Sequence, residues 1–316
     1  MKERRLTGIA AAIGSNLIFG LSFLFSRTAL TRGVPVATLL GLRFLVAFLA
    51  MTLLIVFGIL RVDFRGKRLL RLLPLVLIQP VLYFVCETFG IRMTSSSEAG
   101  IIIALLPIVS VLLSALFLRE RQTRGRVAFI LLSIVGAVLI VGLSGSRPSF
   151  NVLGTVLLFG AVLSAAVFNL LSRHLSDTFS AVEMTYAMMA TGTLVFGGAA
   201  VYGTATGGGL PELMGYLADP MVLLALGYLG LLSSVVAFIL LHRAVEGLGA
   251  ARTASFANLA TVVSIAAGTL VLHESLAWYH FVGSALILVG VWGANRGGEN
   301  GKAAGQSSSL PASPDR

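Results

Sequence analysis

The sequence predicts an all-α, polytopic membrane protein with ten transmembrane helices in two inverted five-helix repeats around a central cavity. Three observations carry that fold class. Hydrophobic residues make up 57% of the 316-residue chain and charged residues 11%, far below the roughly 25% charged of a soluble domain. The apolar residues fall in tracts close to the ~20 residues that cross a hydrocarbon core of ~30 Å. The tracts also repeat, and an odd number of spans per repeat turns the second copy upside down.

Hydrocarbon offers a backbone no water to bond, so each tract must be helical. The tracts run 6–26, 35–60, 72–91, 99–118, 127–143, 151–172, 181–202, 221–241, 253–272 and 278–294. The first follows a basic head, MKERR, but is longer than a signal-peptide core and lacks a small-x-small cleavage site, so it reads as a retained span. The second holds Arg43 inside an apolar run, the third holds Glu87, and the fourth holds Pro107. The fifth closes on GLSG at 142–145; the sixth brings Ser164, Phe168 and Asn169. The seventh leads into a Gly-rich link, 203–220, with room for one interfacial turn. The eighth stops short of Arg243, and the ninth presents Ser255, Asn258 and Thr261 on one face. Beyond the tenth, the tail 297–316 has no apolar period and reads as disordered and cytoplasmic. Short connections predict that neighbours in sequence are neighbours in space.

Lysine and arginine set the orientation. With the amino terminus in the cytoplasm, eighteen of the 23 cations lie inside and four (Arg27, Arg32, Arg92, Arg147) outside, leaving Arg43 within a span. That bias places both termini in the cytoplasm. The net charge of +10 therefore serves orientation and contact with anionic lipid. The lone Cys86 cannot form an internal disulfide and reads as a small core residue.

A shift of 154 residues lays 110–138 on 264–292 without a gap, matching Ser110 to Ser264, Glu120 to Glu274 and Gly136 to Gly290. A shift of 146 matches Gly8 to Gly154, Gly14 to Gly160, and Ser26-Arg27 to Ser172-Arg173. The repeats are 1–145 and 146–296, five spans each. Inverted repeats are characteristic of secondary transporters, whose halves exchange conformations around a midplane site.

Several stretches carry a family resemblance: FGLSFLFSRTAL (19–30), LLGLRFLVAFLA (39–50), residues 90–126 through SSSEAG to LRERQ, GAVLIVG (136–142), LLHRAVEGLGAARTASFANL and VLHESL. Taken in order over residues 6–294, they resemble the EamA-type, ten-helix carriers of the drug/metabolite transporter superfamily. The resemblance implies two packed five-helix halves, peripheral fifth and tenth helices, a central cavity, and export or exchange of amino acids or similar metabolites. One departure is Thr261, where the pattern of the ninth helix often has proline, as Pro107 does in the fourth, so equal bending of the two halves does not follow from the resemblance.

A charge at mid-membrane costs ~3 kcal/mol or more and needs protein, water or a partner beside it. Arg43 lies eight residues in from Pro35, about 12 Å deep; Glu87 lies five residues before Arg92, about 7 to 8 Å deep from the same face. The two are a candidate pair. It either ties helices or is where a carboxylate substrate or a proton competes for one partner. Glu87, the one acid deep in a span, is the candidate proton carrier. Around it Gln79, Tyr83 and Cys86 share a helical face. With Asn16, Phe19 and Phe23 of the first span, and the residues named on spans six and nine, they make the expected substrate pathway. Each polar residue alone reads as an interhelical hydrogen bond; several stripes together read as a polar cavity with aromatic walls. Pro107, Glu120 and Glu274 are assigned structural or gating roles, since a carboxylate at a helix carboxyl end needs compensation.

The expected partners are a small-molecule substrate, membrane lipids, and protons or a counter-substrate, with no nucleic acid, metal or cofactor. The expected location is the bacterial cytoplasmic (inner) membrane. An intramembrane enzyme is the rival class, prompted by Ser144 in GLSG, but a serine nucleophile needs a nearby histidine, and His174, His242, His273 and His280 lie toward helix ends. A channel or lipid flippase would share the cavity.

Overall fold

The computed structural model describes residues 2–118, 124–144, 151–207, 209–249, 253, 254, 256–274 and 276–307. Among them every regular element is helical. Ten apolar segments follow: α1 Lys2–Thr31, α2 Val36–Val56, α3 Leu69–Met93, α4 in two pieces (Ser96–Ile103 and Leu106–Leu118), α5 Arg124–Ser144, α6 Val152–Leu175, α7 Ala181–Thr206, α8 Pro220–Leu248, α9 Ala257–Val271 and α10 Trp278–Ser307. Six of them, α1, α2, α3, α6, α7 and α8, are long and apolar enough to cross a membrane; the apolar parts of the other four are shorter. The chain is an integral membrane protein, and its surface is inside out by soluble standards. Leu70, Leu194 and Val201 are 82%, 78% and 70% exposed, whereas Arg43 and Glu87 are 1% and 2% exposed.

Helix starts follow local chemistry. Ser95 accepts from the Glu98 amide, Asn151 from Gly154, and Asp219 from Met221, each satisfying an amide that the first turn leaves free. Ser180 and Glu183 form a reciprocal capping box at the start of α7. Asp219, outside the spans, is held below the usual carboxylate range by the Met221 amide and then by Arg32, which pairs with it. Prolines explain the breaks. Pro80 cannot donate within α3, where Gln79 turns extended (φ −141°, ψ 118°), and Pro107 crowds the carbonyl four residues back, Ile103, where the first piece of α4 ends. Thr261 keeps its amide and α9 is continuous across it. The two halves are therefore bent unequally.

Some boundaries differ from the sequence reading. The 203–220 link holds a ten-residue helix, Gly209–Ala218, rather than one turn. α8 continues to Leu248, and α10 to Ser307, ten residues past the Gly297 at which the sequence reading begins a structureless tail. α8 stops where Gly249, with φ 85° and its amide bonded to the Val245 carbonyl, turns the chain out of the helix.

The halves interleave instead of forming two bundles. α2 packs on α7, α4 on α9 and α5 on α10, while α1 lies against α8 and α9 as α6 lies against α3 and α4. Exchanging each helix for the one five places away converts this set of pairs into itself, which is a two-fold relation. The paired helices are antiparallel. Gly41 faces Ala200 while Phe44 faces Gly192, and Ser264 donates to the Ser96 carbonyl (2.7 Å) while Thr261 donates to that of Gly100 (2.7 Å). Between α5 and α10, a Cβ on Gly136 would come 2.6 Å from the Gly283 carbonyl and one on Gly290 2.6 Å from that of Phe129. The 154-residue shift exchanges these two contacts, and it maps Ser133 onto Ile287, whose carbonyl Ser133 bonds at 3.2 Å. The axis passes through that crossing, and the repeats are inverted about it. Neighbours in sequence, such as α1 and α2, touch far less than these cross-repeat pairs, because α2, α4 and α5 each pack on their own counterpart in the other repeat and α1 and α6 pack across the repeats, on α8 and α9 and on α3 and α4.

Candidate functional site

A cavity with about 670 Å³ of empty space, its mouth included, lies among α1, α2, α3, α4, α6, α8, α9 and the residues just before α9. Asn16, Phe19 and Phe23 reach it from α1, Arg43 from α2, Gln79, Tyr83 and Glu87 from α3, and Phe168 and Asn169 from α6. On α1 and α3 these positions recur every three or four residues, so a single stripe of each helix faces inward.

Arg43 is held by α8, not by Glu87. Its Nε donates to the Ser234 hydroxyl (2.8 Å) and its Nη2 to the Ser233 hydroxyl (2.9 Å). Its guanidinium also lies 4.3 Å from the centre of the Phe84 ring, a cation–π contact that strengthens where water is excluded. Among the described residues, Arg43 and Glu87 form no direct ion pair, and Nη1 of Arg43 has no hydrogen-bond partner. Glu87 instead accepts from the neighbouring Thr88 hydroxyl (3.0 Å). The reason is topological: α2 packs chiefly on α7 and α8, with only slight contact to α3. The serines sit in a wide π-helical stretch of α8, Tyr228–Val236, a distortion frequent at functional sites.

Two buried amides complete the polar wall. Gln79 and Asn169 are 4% and 3% exposed, and Oε1 of the one and Oδ1 of the other have no hydrogen-bond partner among the described residues. A buried acceptor left so costs roughly 1–3 kcal/mol. Both line the cavity, so a ligand or water there recovers that energy. Phe84 and Phe238 join the aromatic wall, Phe238 edge-on to Phe19 with centroids 5.2 Å apart.

The remaining expected pathway residues lie elsewhere. Ser164 donates to the Gly160 carbonyl in its own helix (2.8 Å), and Thr261 bonds α4 across the seam. Asn258 is half-buried with Oδ1 unpartnered among the described residues, but is not in the lining. Ser255 and Glu120 lie outside the described residues. Glu274 does meet compensation: its Oε1 accepts from the Ser96 amide and its Oε2 from the Ser97 amide (each 2.9 Å), so a carboxylate at the end of α9 caps the start of α4. It also accepts from the Ser97 hydroxyl.

Sequence reasoning missed Ser233, Ser234, Phe84 and Thr253. The paired serines in LLSSVVAF were a visible polar break in an apolar span. It missed also the contact of the Ser172 hydroxyl with Nδ1 of His242 (2.7 Å). That pair is buried and outside the cavity lining, as a structural hydrogen bond would be. His242 lies well inside the longer α8, and the side chain of Ser144 is not among those described.

Comparison with known proteins matches residues 6–142 and 152–296 to the family described as the EamA-like transporter family. The chain is 36% identical over 296 residues to the "Uncharacterized transporter YcxC" of Bacillus subtilis, covering 93% of this chain and 95% of that one. It is 29% identical over 219 residues to a "Probable terminal-alkyne amino-acid exporter" of Streptantibioticus cattleyicolor, covering 68% and 69%. A crystal structure superposes with a TM-score of 0.60 at 17% identity, over 94% of this chain and 97% of that one, which is a likeness of fold.

Proposed function

Because the chain belongs to the EamA-like transporter family, we propose that it is a secondary transporter that exports small zwitterionic metabolites, amino acids foremost, by alternating access. The observation that carries this reading is the paired chemistry of one cavity: a guanidinium with an unengaged nitrogen, and the oxygens of Gln79, Asn169 and Glu87. Guanidinium nitrogens recognise carboxylates, and an ammonium needs acceptor oxygens. Phe19, Phe23, Phe84, Phe168 and Phe238 supply apolar walls for the body of the substrate. The name of the Streptantibioticus relative, an amino-acid exporter, is in keeping with this reading.

Alternation uses the α4–α9 seam. At its Glu274 end the seam is closed by the bonds of Ser264, Thr261 and Glu274 to α4. The cavity lies toward the other end, where α9 contributes Ala257 and Ala260 and the segment before it Thr253 and Ala254. With both termini in the cytoplasm of a bacterial inner membrane, the closed end faces outward and the cavity is loaded from inside. Breaking these few bonds and closing the opposite end moves the substrate, since inverted halves can exchange conformations.

The test is purified protein in liposomes, assayed for uptake and counterflow of labelled amino acids with and without a pH gradient. Saturable flux with counterflow is expected. Non-saturable flux would point to a channel, and transport of lipid alone to a flippase. If Glu87 carries the coupled proton, Glu87→Gln abolishes the response to the gradient while counterflow persists; an unaltered response removes it from that role.

A further inference from the structure

A second recess lies on the lipid-facing side between the start of α3 and the first turns of α7, with about 1510 Å³ of space open to its surroundings. From α3 it is lined by Leu69, Leu73 and Val76, and from α7 by the small side chains Ala187 and Ala190. Arg68 and Arg71 stand at its head, exposed, with no ion pair or side-chain hydrogen bond among the described residues. The preceding loop is fixed in place. Glu183 of α7 accepts from the Asp63 amide (3.0 Å) and from Lys67 Nζ (2.6 Å) as well as capping its own helix. Lys67 is thereby spent, and the two arginines are the free cations of this wall.

We propose that this recess is a binding site for one anionic phospholipid, with its headgroup phosphate on Arg68 and Arg71 and an acyl chain laid against Ala187 and Ala190. Charge and polarity both vary in the required direction. Arg68 precedes α3 and Arg71 lies in its first turn, whereas Ala190 lies nine residues into α7, about 14 Å below its start at ~1.5 Å per residue. A cationic head above an apolar trough of that depth matches an amphiphile; a soluble anion would use the arginines and leave the trough empty. Arginine is suited to the phosphate because its planar fork bonds two oxygens at once.

The test is native mass spectrometry of the full chain released from nanodiscs of equal parts phosphatidylglycerol and phosphatidylcholine. Wild type should retain one phosphatidylglycerol in preference to phosphatidylcholine. Arg68→Ala/Arg71→Ala should weaken retention roughly tenfold or more, as expected for two basic side chains at an anionic surface. Arg61→Ala/Arg65→Ala, which removes equal charge from the same loop, should leave it intact. Ala190→Phe, which fills the trough without altering charge, should weaken retention by a similar factor, and decides the matter if the arginine variant does not fold. Equal retention of the two lipids, equal loss in both arginine pairs, a second protein copy in place of the lipid, or displacement by free glycerol phosphate would each overturn the assignment.

Discussion

At the scale of the residue, Arg43 shows how a permanent cation is kept in an apolar span. Two hydroxyls and the rings of Phe84 and Phe44 replace its water, and one guanidinium nitrogen has no hydrogen-bond partner among the described residues. The rigid fork matters because it reaches two acceptors from a single carbon. Arg43→Lys is therefore expected to lower transport at least about tenfold, the size of one lost charge-assisted bond, with an unchanged gel-filtration profile. Ser233→Ala/Ser234→Ala leaves that guanidinium buried and unbonded; it should lower stability by roughly 1–3 kcal/mol, read from thermal unfolding in detergent. A sequence reader sees that Arg43 needs partners. It does not see which, because Ser233 and Ser234 lie 190 and 191 residues away.

At the scale of the element, two helix contacts make opposite demands. The α5–α10 crossing must be close and permanent: Gly136→Val would drive carbon into the Gly283 carbonyl, and Gly290→Val into that of Phe129. Each should destabilise by about 1–3 kcal/mol, as overpacking does, and by similar amounts because the two sites are related by the axis. On the proposed mechanism, the α4–α9 seam opens at its Glu274 end. Glu274→Gln keeps an oxygen for one amide of α4 but loses the charge that favours a helix start. In a Cys86→Ser background, that variant is expected to make a cysteine at Ile103, a cavity residue, react faster with an impermeant thiol reagent added outside. No change in labelling would leave Glu274 a cap without a gating role.

At the scale of the whole molecule, the interleaved contacts mean that neither repeat carries its own core. Residues 1–145 and 146–316 expressed separately should be degraded, and expressed together should assemble, as pull-down through a tag on one half would record; a stable isolated half would contradict the interleaving. Sequence alone determined the ten apolar tracts, the family, the inversion, and nine residues that line the cavity, Asn16, Phe19, Phe23, Arg43, Gln79, Tyr83, Glu87, Phe168 and Asn169. Span length, an odd repeat and one polar stripe per helix are local or periodic properties, and a linear string records them. Tertiary structure alone decided that Arg43 leans on α8, that Thr261 bonds α4 instead of facing the cavity, that Glu274 caps a helix of the other repeat, and that the halves interdigitate. Those outcomes depend on which helices adjoin and at what height, and partner choice in a lipid-embedded bundle follows from packing that no single segment encodes.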